Sequence, residues 1–502
     1  MRPLEVVTLV ALVPVVASLF VARSRRPTWL AVFAVVPMVV GLAHLLLEGY
    51  RWQMVPAYAL AVFFLLLALA GRQRQPAVAT RSRGRTALRF VGGVFGMLAL
   101  IIAGALPVLF PVFQLPQPTG RHAVGFTRFA VTDSAREETF TADPADKRAL
   151  VVEAWYPADS STGERAMFWG PRLMARLLAP ALGLPSFLFN HLELVRTHAY
   201  TDAQPARTPS SFPVLIFSHG YNQGFPGQNT AQMEELASHG YAVFSIAHPY
   251  ESIAVAYPDG RVAGVSKTRM DSVGRGMGAS GRALGKFAAS KDPTEREALF
   301  REAIAEPRLL HESLQVWTAD TRFVMDELAR WTAGDVRAGP TGSAFSGKLD
   351  ISRIGVFGMS FGGTTAGQVC VVEPRCRAGV NLDGTQYGDP IDVPLRVPFM
   401  FMTSAIPGLN DPVYERATGP AYSVNVEGST HFNYTDFSML SPVFRRMGFL
   451  GKIDGARMER IMNHYLVAFF DTHLKTGGGE SSAFLDSSSA VYPEVRLSSR
   501  AP

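Results

Sequence analysis

Four apolar runs, Leu4–Ala22, Trp29–Leu47, Met54–Ala70 and Phe90–Phe113, fill most of the first 115 residues of this 502-residue chain. Each is about as long as a helix must be to cross a bilayer, and several are apolar all round rather than along one stripe. Such stretches bury their surface in lipid or inside a large helical core. We therefore expect a four-helix transmembrane region over residues 1–113. A hydrophobic soluble helical domain is the competing reading for the whole region, and a cleaved signal peptide for the first run. The length of that run and the three behind it argue against the signal peptide.

Charge divides at the same place. Residues 1–120 hold eleven arginines, no lysine and two acids, Glu5 and Glu48, a balance of +9, whereas the whole chain carries +6, which leaves −3 for residues 121–502. The basic excess thus lies in short loops between apolar runs and is no argument for nucleic-acid binding. Arg23, Arg25 and Arg26 follow the first run and six arginines fill Arg72–Arg89, but only Arg51 lies between the second and third. By the positive-inside rule those two arginine-rich loops face the cytoplasm, so everything after the fourth run faces the outer side of the cell membrane. The only cysteines, Cys370 and Cys376, fall in that outer part, where a disulfide and two free thiols are both open.

Residues 114–122, with Pro116, Pro118 and Gly120, read as a linker. Beyond it, strand-like runs (Arg148–Tyr156, Val214–Ser218, Tyr241–Ile246, Ile354–Phe357, Ala378–Leu382, Pro398–Thr403, Tyr422–Val426) alternate with helical ones (Asn229–His239, Pro307–Trp331, Phe361–Val371). That alternation predicts an α/β domain over residues 123–478, a mostly parallel sheet with helices on both faces, followed by a tail over 479–502. Two stretches interrupt it. Met167–Leu194 is rich in Leu, Phe and Trp and reads as a lid, a lipid-facing helix or ordinary core. Gly260–Ala305 is polar and glycine-rich before turning helical; its Gly276-Met277-Gly278-Ala279-Ser280-Gly281 follows no apolar strand, so it reads as a flexible loop and not a dinucleotide site.

The chemistry concentrates where Ile354–Phe357 runs into Gly358-Met359-Ser360-Phe361-Gly362-Gly363 and a helix begins at once. A serine on a strained strand-to-helix turn flanked by glycines is the nucleophile elbow of α/β-hydrolases. Its hydroxyl needs a base, expected as a histidine after the last strands, and His431 in Gly428-Ser429-Thr430-His431-Phe432 fits. His464 and His473 lie in an apolar helical pattern and read as packing residues. For the carboxylate that orients the histidine, Asp383 and Asp411 both lie beyond a strand's carboxyl end, and sequence physics favours neither. The oxyanion hole calls for the backbone N–H of Phe361 and of a residue after Val214–Ser218, with Tyr221 the natural donor; the neighbouring His219 reads as orienting that loop. No H-E-x-x-H or clustered His/Asp spacing points to a metal.

These pieces resemble the platelet-activating factor acetylhydrolase family, its lipoprotein-associated and type II enzymes and their bacterial relatives. The matching segments, in order, are Phe168–Gly170, Phe217–Gly220, Leu236–Val243, Gly358–Gly363, Asn381–Asp383 and Gly428–Phe437. The resemblance implies Asp383 as the acid, oxyanion donors at Tyr221 and Phe361, and short or oxidised acyl esters of phospholipids cleaved without calcium or any cofactor. The apolar runs at the front depart from the family pattern, as does Met359, where the animal enzymes usually carry histidine. Relatives of this fold also cleave polyesters and small soluble esters. Oligomeric state has no signature in the sequence.

Overall fold

Strands covered on both faces read as unbroken apolar runs, and Phe212–Ser218 is buried at every position. It lies mid-sheet in a computed structural model that describes residues 1–21, 33–72, 83–170, 172–305, 308–335, 339–475, 479–487 and 491–501. In chain order the main strands are β1 (Ala123–Glu137), β2 (Lys147–Ala158), β3 (Arg165–Met167), β4 (Arg196–Thr201), β5 (Phe212–Ser218), β6 (Ala242–Ala247), β7 (Ala254–Ala256), β8 (Val262–Gly264), β9 (Leu349–Met359), β10 (Cys376–Leu382), β11 (Phe399–Thr403), β12 (Ala421–Val426) and β13 (Val495–Arg500). Eleven form one sheet in the order β13-β12-β11-β10-β9-β5-β6-β2-β1-β4-β3, and β7 pairs with β8 alone. From β6 to β12 every pairing is parallel; β2 and β13 flank that block antiparallel. The expected mostly parallel sheet is therefore present.

Its two faces follow from side-chain alternation along each strand. Val214, Ile216, Val356, Phe399 and Phe401 join one core with Leu314, Trp317, Val324 and Leu328 of the helix Arg308–Thr332 and Val369 of the helix Phe361–Val372. Leu215, Phe217, Phe357, Met400 and Met402 point the other way, against Met233 and Leu236 of the helix Thr230–Ser238 and Ile461, Tyr465 and Phe469 of the helix Gly455–Leu474. Each such side chain, fully buried, contributes about 1.5–3 kcal/mol. A disulfide joins Cys370 to Cys376 across the turn from helix to β10.

Three sequence expectations are revised. Residues 479–502 are not a tail: β13 pairs antiparallel with β12 along Val495–Arg500. The glycine-rich stretch is not a loop, for Lys267–Ala289 is one helix, its Val273, Ala283 and Phe287 buried. Among the described residues, three of the four apolar runs give helices long and apolar enough to cross a membrane, Pro3–Phe20, Trp52–Ala70 and Ala87–Leu109. The Trp29–Leu47 run shows the 12-residue helix Val36–Leu47, and its first residues, 29–32, lie outside the described ones.

The chain divides into two compact units, residues 1–114 with Phe187–Val195 and Leu440–Phe444, and the remainder. In the first unit large apolar side chains such as Val10, Leu46, Leu66, Phe95 and Ile101 are exposed. Polar side chains are grouped inside it around the buried Glu5, His44 and Arg51: Arg2 Nε donates to Glu5 Oε1 at 2.8 Å, Arg51 Nε lies 3.0 Å from the same oxygen, and Tyr58 Oη and His44 Nδ1 are 2.6 Å apart.

Candidate active site

The turn after β9 is built by crowding. A Cβ at Gly362 would stand 1.8 Å from the carbonyl oxygen of Ser218, and one at Gly358 2.2 Å from the Gly362 carbonyl carbon, so only glycine lets β5, β9 and the following helix approach this closely. Ser360 between them takes φ 58° and ψ −120°, with its N–H donated to Leu382 O at 2.7 Å. A residue bearing a β-carbon is strained in that region, and such strain is kept where the surrounding structure holds it.

Three of the sequence candidates meet at this hydroxyl. His431 Nε2 lies 3.0 Å from Ser360 Oγ, and His431 Nδ1 lies 2.7 Å from Asp383 Oδ2. A carboxylate only accepts, so Nδ1–H donates to Asp383 and Nε2 is left to accept from the serine. Asp383 is buried at the end of β10 and receives the Ser404 N–H at 2.7 Å and the Ser404 hydroxyl at 2.8 Å. Asp411 begins the short helix Asp411–Tyr414 with its carboxylate 3.5 Å from Arg296, and burial raises its pKa. It is not part of the Ser360–His431–Asp383 row.

Phe361 is the first residue of its helix, so its N–H has no acceptor four residues back. The loop after β5 passes alongside, since a Cβ at Gly220 would lie 3.5 Å from the Ser360 Cβ. Tyr221 follows; its ring meets Phe361 edge-on at 5.2 Å and its hydroxyl donates to Glu251 Oε1 at 2.9 Å. His219 is buried beneath, with Nδ1 donating to Gly220 O at 2.8 Å and Nε2 accepting from Ser252 Oγ at 2.7 Å; burial lowers its pKa to about 3. A neutral, enclosed imidazole of this kind orients the loop.

A cavity of about 490 Å³ opens at Ser360 and is mainly apolar, with Tyr221, Phe361, Met277, Leu284, Ile406 and Leu409 among its walls. A second Ser, His, Asp series lies deeper: Ser218 Oγ is 3.1 Å from His248 Nε2, and His248 Nδ1 is 2.9 Å from Asp320 Oδ2. All three are buried, Trp317 stacks on the imidazole at 3.8 Å, and Arg148 pairs with Asp320 at 2.7 Å. Buried at every member, that series ties the end of β5 to the residue after β6 and to the helix Arg308–Thr332.

Sequence reasoning missed the residues that hold the row. Ser404 follows β11, a position where sites collect, which was the available signal. Gln228 accepts the Gly220 N–H at 3.3 Å and Glu251 anchors Tyr221, and neither belongs to any local pattern. As for metals, Glu5, His44 and Glu48 bring ligand atoms within 4.8 Å of one another, but Arg2 already bonds Glu5 and lies 2.9 Å from His44 Nε2. The donor set is taken up by cations.

A family model described as platelet-activating factor acetylhydrolase, isoform II, matches residues 108–269 and 341–480, more than half of the chain. The chain belongs to this acetylhydrolase family. A platelet-activating factor acetylhydrolase of Cavia porcellus is 25% identical over 341 residues, 64% of this chain and 72% of its own. One of Gallus gallus is 24% identical over 386 residues, 72% of this chain and 84% of its own. Among solved structures, a ferulic acid esterase from Streptomyces cinnamoneus superposes with a TM-score of 0.58 at 25% identity, over 77% of this chain and 99% of that one. The acetylhydrolase match breaks off at 269 and resumes at 341. Most of Lys267–Ala289, all of the helix Pro293–Ala305 and all of Arg308–Thr332 fall in that gap.

Proposed function

We propose that this chain is a membrane-anchored serine esterase that cleaves acyl esters of phospholipid-like substrates through an acyl-Ser360 intermediate. The observation that carries it is the Ser360–His431–Asp383 row, with spacings of 3.0 and 2.7 Å, on a strained elbow. Ser360 Oγ attacks the ester carbonyl carbon as His431 Nε2 takes its proton. The tetrahedral oxyanion sits between the Tyr221 and Phe361 N–H groups, and Asp383 stabilises the imidazolium. Collapse breaks the bond to the alcohol, which leaves with the proton from His431. Water, deprotonated by His431, then releases the acid and restores Ser360.

Membrane anchoring is supported by the three long apolar helices, whose exposed side chains would be soluble liabilities but suit lipid. The arginine loops and the Cys370–Cys376 bridge favour an outer-side catalytic unit. The phospholipid-like substrate is suggested by the names of the relatives, which include a probable 1-alkyl-2-acetylglycerophosphocholine esterase of Arthroderma benhamiae. The likeness to a ferulic acid esterase favours a second reading, a general carboxylesterase or polyesterase.

The test is Ser360→Ala beside wild type on nitrophenyl esters, with a fluorophosphonate probe for the nucleophile. Loss of turnover and of labelling is expected. A variant that stays active ends the proposal, and a folded wild type that the probe does not label favours a binding module without catalysis. Acetylated phospholipid against simple butyrate esters separates the two enzyme readings.

A further inference from the structure

The cavity at Ser360 is larger than an acetyl group requires, falling in the range that encloses drug-sized ligands. Part of its apolar wall comes from the stretch the family model does not match. Val273, Met277 and Leu284 lie at positions i, i+4 and i+11 of the helix Lys267–Ala289, hence on one face, and Leu310 comes from the helix Arg308–Thr332. Ile406 and Leu409, beyond β11, line it as well. Val273, Leu310 and Leu409 are buried, whereas Met277 is 46% exposed and so stands at the mouth.

We propose that this helical segment forms an acyl pocket and fits the enzyme to medium-length acyl chains longer than acetyl. The inference rests on the esterase reading and adds to it the part of the substrate that is selected. The acyl side is favoured over the alcohol side by the fate of each half. The acyl group stays bonded to Ser360 Oγ after the first step, so it needs a site that holds it. The alcohol must depart past the group that protonates it, and the His431 side chain is 46% exposed. The closed, apolar side therefore keeps the acyl chain, and the open side releases the alcohol. Each methylene added within the pocket is worth about threefold to fourfold in kcat/KM until the space is filled.

The experiment uses the full-length protein in detergent and nitrophenyl esters from acetate through butyrate and octanoate to palmitate. Wild type is expected to favour octanoate over acetate. Leu284→Trp and Met277→Trp, each checked for native circular dichroism, are expected to lower the octanoate-to-acetate ratio of kcat/KM by about tenfold or more. Arg275→Ala, on the solvent side of the same helix, is expected to keep the wild-type ratio. Wild type preferring acetate, or both folded tryptophan variants keeping its ratio, overturns the proposal. So does a change confined to alcohol preference in an octanoate series with varied leaving groups. Turnover of none of the esters is a different result, and it removes the esterase reading itself.

Discussion

Ser360 holds a backbone conformation with φ 58° that costs a side-chain-bearing residue about 1–3 kcal/mol, and glycine would not pay it. Ser360→Gly should therefore raise the thermal midpoint while abolishing turnover; a lowered midpoint in a calorimetric scan would show that the turn is not under strain. For the acid, Asp383→Asn should lower kcat by about 10⁴, as expected when the imidazole loses its orienting carboxylate, and Asp411→Asn should leave kcat near wild type. The reverse ranking in nitrophenyl ester assays would transfer the role to Asp411. At this scale the sequence revealed unequal amounts. Ser360 and His431 carried local signals, a glycine-flanked turn and a position just after the strand-like run Tyr422–Val426. Asp383 and Asp411 were indistinguishable by spacing, because what separates them is who else is nearby: Ser404 for one and Arg296 for the other.

Elements show where local propensity loses to packing. Lys267–Ala289 contains Gly274, Gly276, Gly278, Gly281 and Gly285, which is why it read as a loop. It is helical because Val273, Ala283 and Phe287 are buried along one face, and burial outweighs propensity. A Cβ at Gly281 would meet nothing within 4 Å, so Gly281→Ala should stabilise the protein by about 0.5–1 kcal/mol in urea unfolding. No gain, or a loss, would mean that the glycine serves something else. The helix Thr230–Ser238 carries a different device, Glu234, whose Oε1 receives the His198 and Ala199 N–H groups at 2.6 and 2.8 Å. Burial raises its pKa from 4.5 to about 8; the two N–H donors and Arg165 oppose the rise. The folded state thus holds a proton that the unfolded chain loses above about pH 4.5. This stabilisation is complete below that pH and is lost as pH climbs through about 8. Glu234→Gln should flatten the fall in thermal midpoint between pH 5 and pH 9, and an unchanged slope would assign the pH dependence to other groups.

Over the whole molecule, the parallel strands β5, β6 and β9 to β12 were legible because each is a short apolar run bounded by turns. β1 was not: its Ala123–Glu137 mixes exposed polar and buried apolar positions, and it pairs along much of its length with β2, information no local window contains. The apolar helices were legible from length alone, apart from the short Val36–Leu47. Their orientation is a prediction of the arginine loops: a reporter fused after Pro502 should be active only on the outer side of the membrane, and activity confined to the cytoplasm would invert the topology.

The pairing of β13 with β12 has a practical consequence for handling the protein. β12 leads into the turn that bears His431, and β13 occupies its free hydrogen-bonding edge from Val495 to Arg500. A chain clipped ahead of Val495 would bare a row of unpaired amides on the strand that leads to His431, an invitation to strand capture by a neighbouring molecule. Shortened preparations should accordingly clump as they lose activity, whereas extensions beyond Pro502 leave that edge covered.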